Sequence, residues 1–341
     1  MRDLTFTCMG CEMRLIADGV ADDRIRAARE LLDAIDARLS RFRPDSELSR
    51  LNADPRATVP ASALLRAAVG AALWAAERTR GLVDPTLLAD LERQGYARSL
   101  ADGPRVSPAA AVAAAPVRAP AAARCDARWR AVRIDNAGGT ITRPPGLRLD
   151  TGGTTKGLAA DAVAQLLAGA RRLVVDCGGD LRVAVAPGAA PFDVAVEHPL
   201  SGEAAAILPI AGGGVATSGL GRRLWRGPAG RPAHHLLDPA TGEPAWTGLL
   251  AATALAPTAL EAEALAKAAL LRGPNGARRV LGRRGGVLIH DDGGIEVVGA
   301  ARRAHAVAAR LERGAAGRLE LVAGLHRSGR ARRHTGVGAA A

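Results

Sequence analysis

LDTGGTTKGLAAD, residues 149–161, leads from an apolar run through a turn rich in glycine and threonine into a helical pattern. Glycines let a backbone approach a ligand closely, and the free N–H groups at the start of a helix attract anions. Lys156 adds a mobile positive charge at the same place, so the turn suits a phosphate or a pyrophosphate. The stretch is neither a GxxxxGK[ST] nor a GxGxxG loop, and a glycine-rich helix start is also a common structural turn.

Lysine is rare in this chain, since the 46 basic residues include only Lys156 and Lys267 besides arginine. A lysine retained against such a bias indicates a site in which a planar guanidinium does not fit. Lys267 follows Glu263 by four residues, so the two share one face of a predicted helix. They form either a solvent-exposed ion pair or, because the neighbouring residues are mostly alanine and leucine, a pair that points into a cleft.

The composition predicts a globular protein whose core is built from Ala, Leu and Val, since 48% of its residues are hydrophobic and only 2% are aromatic. The formal net charge of +12 is compatible with an anionic partner. The arginines are scattered, however, and no aromatic residues are interleaved with them to stack on bases. We therefore expect no nucleic-acid partner.

Four cysteines occur, and Cys8 and Cys11 form a CxxC that admits a zinc or a redox interpretation. Zinc would need two more ligands, and no second CxxC or HxxxH supplies them. The alternation around the pair is that of a strand, which favours small, partly buried cysteines in a reducing compartment. With no N-terminal apolar segment and no long apolar span, we expect a cytoplasmic protein without a membrane partner.

Apolar periodicity predicts an opening strand at 4–17, a polar loop at 40–54, and helices at 21–39, 61–79, 157–169 and 257–273. Residues 129–150 are interpreted as a hairpin plus a third strand, and 285–299 as a closing hairpin. The resulting fold class is α+β, with a mixed, largely antiparallel sheet and packed helices. Residues 1–299 form one domain with an Ala/Pro-rich insertion at 101–124. Residues 300–341 are expected to be a poorly ordered basic tail with one marginal helix at 301–313.

Three further polar segments are more elaborate than simple turns: LVDPT at 82–86, VATSGLGRRLW at 215–225 and AHHLLDPATGEP at 233–244. Each alone is compatible with ordinary turn chemistry. Their number favours a common site, with His234 and His235 just before Asp238.

Taken in order along the chain, these segments resemble the ApbE family of flavin transferases. The resemblance rests on MG at 9–10, LSRFRPDSELSRLN at 39–52, VDPT at 83–86, LDTGGTTKGLAAD at 149–161, CGGDLRV at 177–183, VATSG at 215–219, HHLLDPATGEP at 234–244 and TALEAEALAKAALLRG at 258–273. It implies an enzyme that uses FAD as substrate and, with Mg²⁺, transfers FMN to a Thr or Ser hydroxyl of a client protein, releasing AMP. The alternatives are an FAD pyrophosphatase, which gives FMN and AMP, and a flavin-binding protein with weakened catalysis.

The resemblance also implies site residues. The positions that would contact or line FAD are Met9, Phe42, Gly95, Tyr96, Asp150, Lys156, Thr217, Ser218, Gly219 and His235. The residues expected to be catalytic are Lys156, His235 and Lys267, and those at metal positions are Gly153, through its carbonyl, Glu263 and Lys267.

The metal positions depart from the family pattern. The helix typical of the family carries Asp and Thr as metal ligands four residues apart, where this chain has Glu263 and Lys267. Glutamate can still bind Mg²⁺, but a charged lysine cannot. Two hypotheses follow: Lys267 replaces part of the metal's charge, or the chain binds flavin without efficient transfer.

Overall fold

The quoted stretch forms the turn into a helix that packs against a broad antiparallel sheet. The structure, a computed structural model, describes residues 1–99, 106–282, 284–301 and 320–323. Its α-helices are α1 Asp22–Leu39, α2 Glu47–Ala53, α3 Ala63–Arg78, α4 Leu88–Arg93, α5 Pro108–Ala113, α6 Thr155–Leu166, α7 Ala259–Leu271 and α8 Gly273–Leu281.

Strands outnumber helices. They are β1 Arg2–Cys8, β2 Cys11–Asp18, β3 Thr58–Pro60, β4 Arg133–Asp135, β5 Thr140–Thr142, β6 Arg172–Cys177, β7 Asp180–Val185, β8 Phe192–Glu197, β9 Ala204–Ile210, β10 Gly212–Gly219, β11 Leu224–Arg226, β12 Pro232–His234, β13 Leu237–Asp238, β14 Glu243–Pro244, β15 Leu249–Ala256, β16 Gly286–His290, β17 Ile295–Val298 and β18 Glu320–Ala323.

Eight strands form the main sheet, in the order β1-β2-β6-β7-β10-β15-β16-β17, and every neighbouring pair is antiparallel. A smaller sheet, β18-β8-β9, contains a parallel pair between β18 and β8. Helices cover the sheets, so the predicted α+β class with largely antiparallel pairing is confirmed.

The main sheet separates two apolar clusters. Successive side chains of a strand point to opposite faces, and in β6 Val174 belongs to one cluster whereas Leu173 and Val175 belong to the other. Residues of α1, α3 and α6 fill the second cluster, and residues of α7, β8 and β9 fill the first. Alanine and leucine supply most of α7, which is why that helix can lie buried on nearly all sides.

The predicted strand at 4–17 is a hairpin. β1 and β2 pair through a two-residue turn at Met9 and Gly10, whose φ angles are +50° and +66°. Positive φ at both positions is what a tight type I′ turn requires. Cys8 and Cys11 are free thiols that pair with each other across this turn, so the two-residue turn accounts for their CxxC spacing.

Other element boundaries differ from the predicted ones. α6 begins at Thr155 rather than at 157, and α2 lies within the segment predicted as the polar loop at 40–54. The third strand predicted near 147–150 is absent, since these described residues run as irregular chain beside Asn52. α7 is followed at once by α8, which the apolar pattern did not reveal.

Part of the domain prediction falls on residues that the structure does not describe. Of the insertion at 101–124, residues 106–124 are described and contain α5. The marginal helix predicted at 301–313 lies, except for its first residue, outside the described residues. Within the described ranges no helix combines the length and the apolar character needed to span a bilayer. The cytoplasmic location stays a prediction.

Candidate functional site

The turn at 150–155 is fixed by its own side chains before it becomes α6. The backbone N–H of Gly152 donates to Asp150 Oδ1 at 2.8 Å, and the N–H of Asp150 donates to the carbonyl of Pro85 at 2.8 Å. The Thr155 hydroxyl donates to the carbonyl of Thr151 at 2.8 Å. The N-terminus of α6 is thereby anchored at the LVDPT segment.

Lys156, in the first turn of α6, bonds directly to the carboxylate of Asp180, the first residue of β7. The Asp180 side chain is only 2% exposed. Burial acts to lower the pKa of Lys156, but the carboxylates of Asp180 and Glu263 outweigh it and raise that pKa above its usual value. Lys156 is therefore a permanently charged ammonium group.

Glu263 joins α7 to the start of α6 and is 0% exposed. Its Oε2 accepts the N–H of Gly157 at 2.8 Å, and its Oε1 accepts the ammonium of Lys267 at 2.9 Å. Burial raises the pKa of Glu263, while the Lys267 ammonium acts in the opposite direction. The predicted pair thus points inward, and the solvent-exposed alternative for Glu263 and Lys267 is wrong.

These residues do not fit the magnesium site that the resemblance implies. Mg²⁺ requires oxygen ligands near octahedral positions. Both oxygens of Glu263 already have protein partners, and the ammonium of Lys267 has no lone pair to offer. Among the described residues, no group of three or more His, Cys, Asp or Glu side chains is arranged to hold a metal ion.

His235 lies half-buried near the same charges. Burial, followed by the positive charge of Arg223, holds the pKa of His235 well below its usual range, and His234, Lys267 and Lys156 act in the same direction. Its Nδ1 is buried and has no partner among the described residues. His235 is therefore a neutral imidazole, which can accept a hydrogen bond through its unprotonated nitrogen.

A second group of predicted site residues surrounds Arg41. The guanidinium carbon of Arg41 lies 4.2 Å from the ring centroid of Phe42 and 4.5 Å from that of Tyr96. Its Nε lies 3.3 Å from Asp150 Oδ2, at the start of the turn. Tyr96 also stacks on Trp225, with ring centroids 5.1 Å apart. In this aromatic cluster, Arg41, Phe42, Tyr96 and Trp225, the ring of Phe42 is 38% exposed and offers a surface on which a ring system can pack.

The remaining predicted residues have other surroundings. Met9 is half-buried at the tip of the β1–β2 hairpin. Gly95 has a φ of +95° and lies against Trp225, so a Cβ there would be 3.2 Å from Trp225 Nε1. The Thr217 hydroxyl pairs with that of Thr253 at 2.8 Å. Ser218 and Gly219 are the last two residues of β10. Ala216, on the same strand, pairs with Asp180.

Three contributors were not assigned from the sequence. Asp180 lies in the CGGDLRV segment. It follows two glycines at the start of a predicted strand, and this position could have identified it as a site residue. Arg41 was hidden because arginine is the ordinary basic residue of this chain. Trp225 comes from a segment distant in sequence, and only the fold brings it to Tyr96.

The sequence resembles proteins of known activity over most of its length. A model of the ApbE family matches residues 9–289. The FAD:protein FMN transferase of Klebsiella pneumoniae strain 342 is 32% identical over 291 residues, covering 81% of this chain and 80% of that protein. The FAD:protein FMN transferase of Salmonella typhimurium is 34% identical over 263 residues, covering 74% and 72%.

Solved structures agree in fold. The crystal structure of the ApbE protein of Thermotoga maritima superposes with a TM-score of 0.73 at 24% identity, covering 89% of this chain and 99% of that one. The apo form of the flavinyl transferase ApbE of Pseudomonas stutzeri gives a TM-score of 0.69 at 25% identity, covering 89% and 96%. The chain belongs to the ApbE family.

Proposed function

We propose that this protein is an FAD:protein FMN transferase that moves FMN from FAD to a Thr or Ser hydroxyl of a client protein. The observation that carries the proposal is the pair of ammonium groups, Lys156 and Lys267, at the N-terminus of α6. Helix N–H groups and fixed cations stabilise the charge that a pyrophosphate develops as it is cleaved. The curated relatives named FAD:protein FMN transferase support the same activity.

The reaction is a displacement at phosphorus. The acceptor hydroxyl oxygen forms a bond to the FMN phosphorus, the bond from that phosphorus to the bridging oxygen breaks, and AMP leaves with the bridging oxygen. The products are the FMN phosphoester, AMP and the hydroxyl proton. A bound Mg²⁺ would supply further charge stabilisation, but the donor set described above does not fit it, and no step here depends on it.

His235 is the residue that we assign to the hydroxyl proton. Its neutral ring can accept a hydrogen bond from the acceptor hydroxyl through its unprotonated nitrogen. The cations that depress the pKa of His235 are those that the anionic pyrophosphate would neutralise. Substrate binding would therefore raise that pKa and make His235 a stronger base at the moment of transfer.

The aromatic cluster and Asp150 are proposed to hold the flavin and nucleotide portions of FAD, together with Met9, Gly95 and the segment Thr217–Gly219. Asp150 connects the two parts of the site, because it begins the turn that ends at Lys156 and its carboxylate pairs with Arg41. One continuous ligand could thus extend from the rings to the ammonium groups.

The test is AMP and FMN release from FAD, separated by chromatography, with mass spectrometry of candidate acceptor proteins. We expect an acceptor to gain the mass of one FMN, and Lys156→Ala to slow AMP release about 100-fold. Arg278→Ala, an exposed residue that pairs with Glu296, is the control and should retain the wild-type rate.

Each alternative has its own signature. Release of AMP and free FMN without any labelled acceptor would favour a pyrophosphatase. Tight flavin binding without AMP release would favour a flavin-binding protein and refute the transferase. An unchanged rate in Lys156→Ala would refute the role of its ammonium group.

A further inference from the structure

Lys267 is held where its charge reaches the proposed pyrophosphate site. Its side chain is only 12% exposed, and its ammonium is fixed by the buried carboxylate of Glu263. The methylenes pass beside the glycine turn, since a Cβ added to Gly153 would lie 3.7 Å from Lys267 Cε. The lysine stem therefore passes the turn at van der Waals distance, which places its ammonium close to the N-terminus of α6.

The carboxylate of Glu263, which stands at a metal-ligand position of the family, already accepts hydrogen bonds within the protein. Glu263 accepts the N–H of Gly157, one of the groups at the start of α6 that have no partner within the helix. Its other oxygen is held by the Lys267 ammonium. A metal ion could enter only by displacing that ammonium, and the lysine cannot move to solvent without leaving a buried carboxylate partly unpaired.

Each of the two buried carboxylates at the site, Asp180 and Glu263, has a lysine as its partner. Lys156 pairs with Asp180, and Lys267 pairs with Glu263, which gives two positive and two negative groups. An ammonium has three N–H donors, and Glu263 occupies one of those on Lys267. The others can donate to phosphate oxygens, so Lys267 can bind an incoming ligand without releasing Glu263.

Building on the proposed function, we infer that the Lys267 ammonium, held by Glu263, is a built-in cation that takes the place of a divalent metal, so FAD cleavage needs no added metal. The sequence raised two hypotheses for Lys267: that it replaces part of the metal's charge, or that the chain binds flavin without efficient transfer. These contacts support the first. A single positive charge is weaker than a divalent ion, so we expect a working but slow enzyme.

The first test measures metal binding without turnover. Protein freed of metal with EDTA and then dialysed is titrated with Mn²⁺, and free Mn²⁺ is followed by electron paramagnetic resonance. We expect no stoichiometric binding by the wild-type protein. The double variant Glu263→Asp/Lys267→Thr, which restores two oxygen ligands, should bind one equivalent.

The second test measures AMP release from FAD in EDTA and in Mg²⁺. The wild-type rates should agree within about twofold. In EDTA, Lys267→Thr should release AMP about 100-fold more slowly than the wild-type protein. Mg²⁺ should then raise the rate of this variant at least about tenfold. Lys267→Arg, which keeps the charge, should remain insensitive to Mg²⁺.

Folding is checked separately, because Lys267→Thr removes the charged partner of Glu263. The variant Glu263→Gln/Lys267→Met removes both charges while keeping similar volumes. It should fold, bind no Mn²⁺ and cleave FAD poorly with or without Mg²⁺.

The outcomes separate the two proposals. If wild-type activity is lost in EDTA and restored by Mg²⁺, or if the wild-type protein binds Mn²⁺ stoichiometrically, the built-in cation is refuted while the transferase stands. If no condition yields AMP, the proposed function itself fails.

Discussion

Glu263 shows how one side chain can decide the chemistry of a site. A carboxylate with no exposure to water is costly unless it is paired and fully hydrogen-bonded, and Glu263 meets both conditions through Lys267 and the N–H of Gly157. The glutamate is one methylene longer than aspartate, which gives it the reach to bridge α7 and α6. The same bridge that stabilises the buried charge removes the carboxylate from the metal ligands available.

At the residue scale, Arg41 is expected to organise the proposed flavin side of the site. Arg41→Ala removes two guanidinium–ring contacts and the partner of Asp150. Because Arg41 positions these rings and Asp150, its loss should raise the dissociation constant for FAD about tenfold, or about 1.4 kcal/mol. Quenching of flavin fluorescence measures it. Arg43→Ala is the control, since Arg43 is half exposed and pairs only loosely with Asp45. Equal affinity in the two variants would contradict the role of Arg41.

His234 makes a prediction about stability and pH. The ring is fully buried, edge-on to Trp246, and burial lowers the pKa of His234 to about 3. The unfolded chain takes up this proton below about pH 6.5, whereas the folded chain does not, so acidification between these values favours unfolding. From pH 7 to pH 5 this residue alone should lower the free energy of unfolding by about 2 kcal/mol.

His234→Phe isolates that contribution, because phenylalanine keeps a ring against Trp246 and cannot titrate. Asp176 acts in the opposite direction, since burial raises its pKa to about 6 and its proton uptake stabilises the folded state as the pH falls. The difference between variant and wild-type urea unfolding curves at the two pH values cancels Asp176. A difference that does not change with pH would count against the burial of a neutral His234.

At the scale of elements, α6 and α7 cap each other. Glu263 of α7 accepts an N–H from the first turn of α6, and Asp161 of α6 accepts the N–H groups of Ala259 and Leu260 in the first turn of α7, both at 2.9 Å. Acids at helix N-termini are favoured by the orphan N–H groups and the helix dipole. The two helices therefore fix each other's starting points, and with them Lys156 and Lys267.

Gly157 is what allows this crossing. A Cβ at that position would lie 2.7 Å from the carbonyl oxygen of Ala259 and 2.7 Å from Leu260 Cα, and backbone atoms cannot give way cheaply. Gly157→Ala should therefore lower the free energy of unfolding by about 3 kcal/mol, despite the better helix propensity of alanine. Urea unfolding measures it. Gly70→Ala in α3 is the matched control, because its nearest neighbour is a flexible Ile134 methyl at 3.4 Å, and it should be neutral or stabilising. Similar losses in both variants would show that the crossing is not the cause.

The sequence predicted those elements that have a local pattern. Helices α1, α3, α6 and α7 followed from their apolar residues, which recur at helical spacing in α1 and cover nearly all sides of α7. The break at Met9–Gly10 was missed because alternation continues unchanged across a two-residue turn. The quoted turn identified Lys156, and helix spacing paired Glu263 with Lys267. Asp180 as partner of Lys156, and Arg41 as the centre of the aromatic cluster, depend on contacts between distant segments that no local pattern encodes.

At the scale of the whole molecule, the charged site lies where strands of the main sheet meet the helix pair. Asp180 begins β7, and Ala216 opposite it belongs to β10, on which α7 packs. The β18-β8-β9 sheet contributes to the apolar cluster on one face of the main sheet rather than to the charged residues. The small sheet is thus separate from the charged residues, and changes in it should leave the site intact.

That separation can be tested through β18, which pairs in parallel with β8 from Glu320 to Ala323. A chain ending at Ala301 lacks this strand and leaves the backbone groups of β8 without it, so its melting temperature should fall by about 5 °C. A chain ending at Ala323 keeps the strand and is the matched control. Because every proposed site residue precedes Ala301, both chains should bind FAD equally in fluorescence titrations. Equal melting temperatures would mean that the β18–β8 pair adds no stability, and weaker FAD binding by the shorter chain would mean that the small sheet also supports the site.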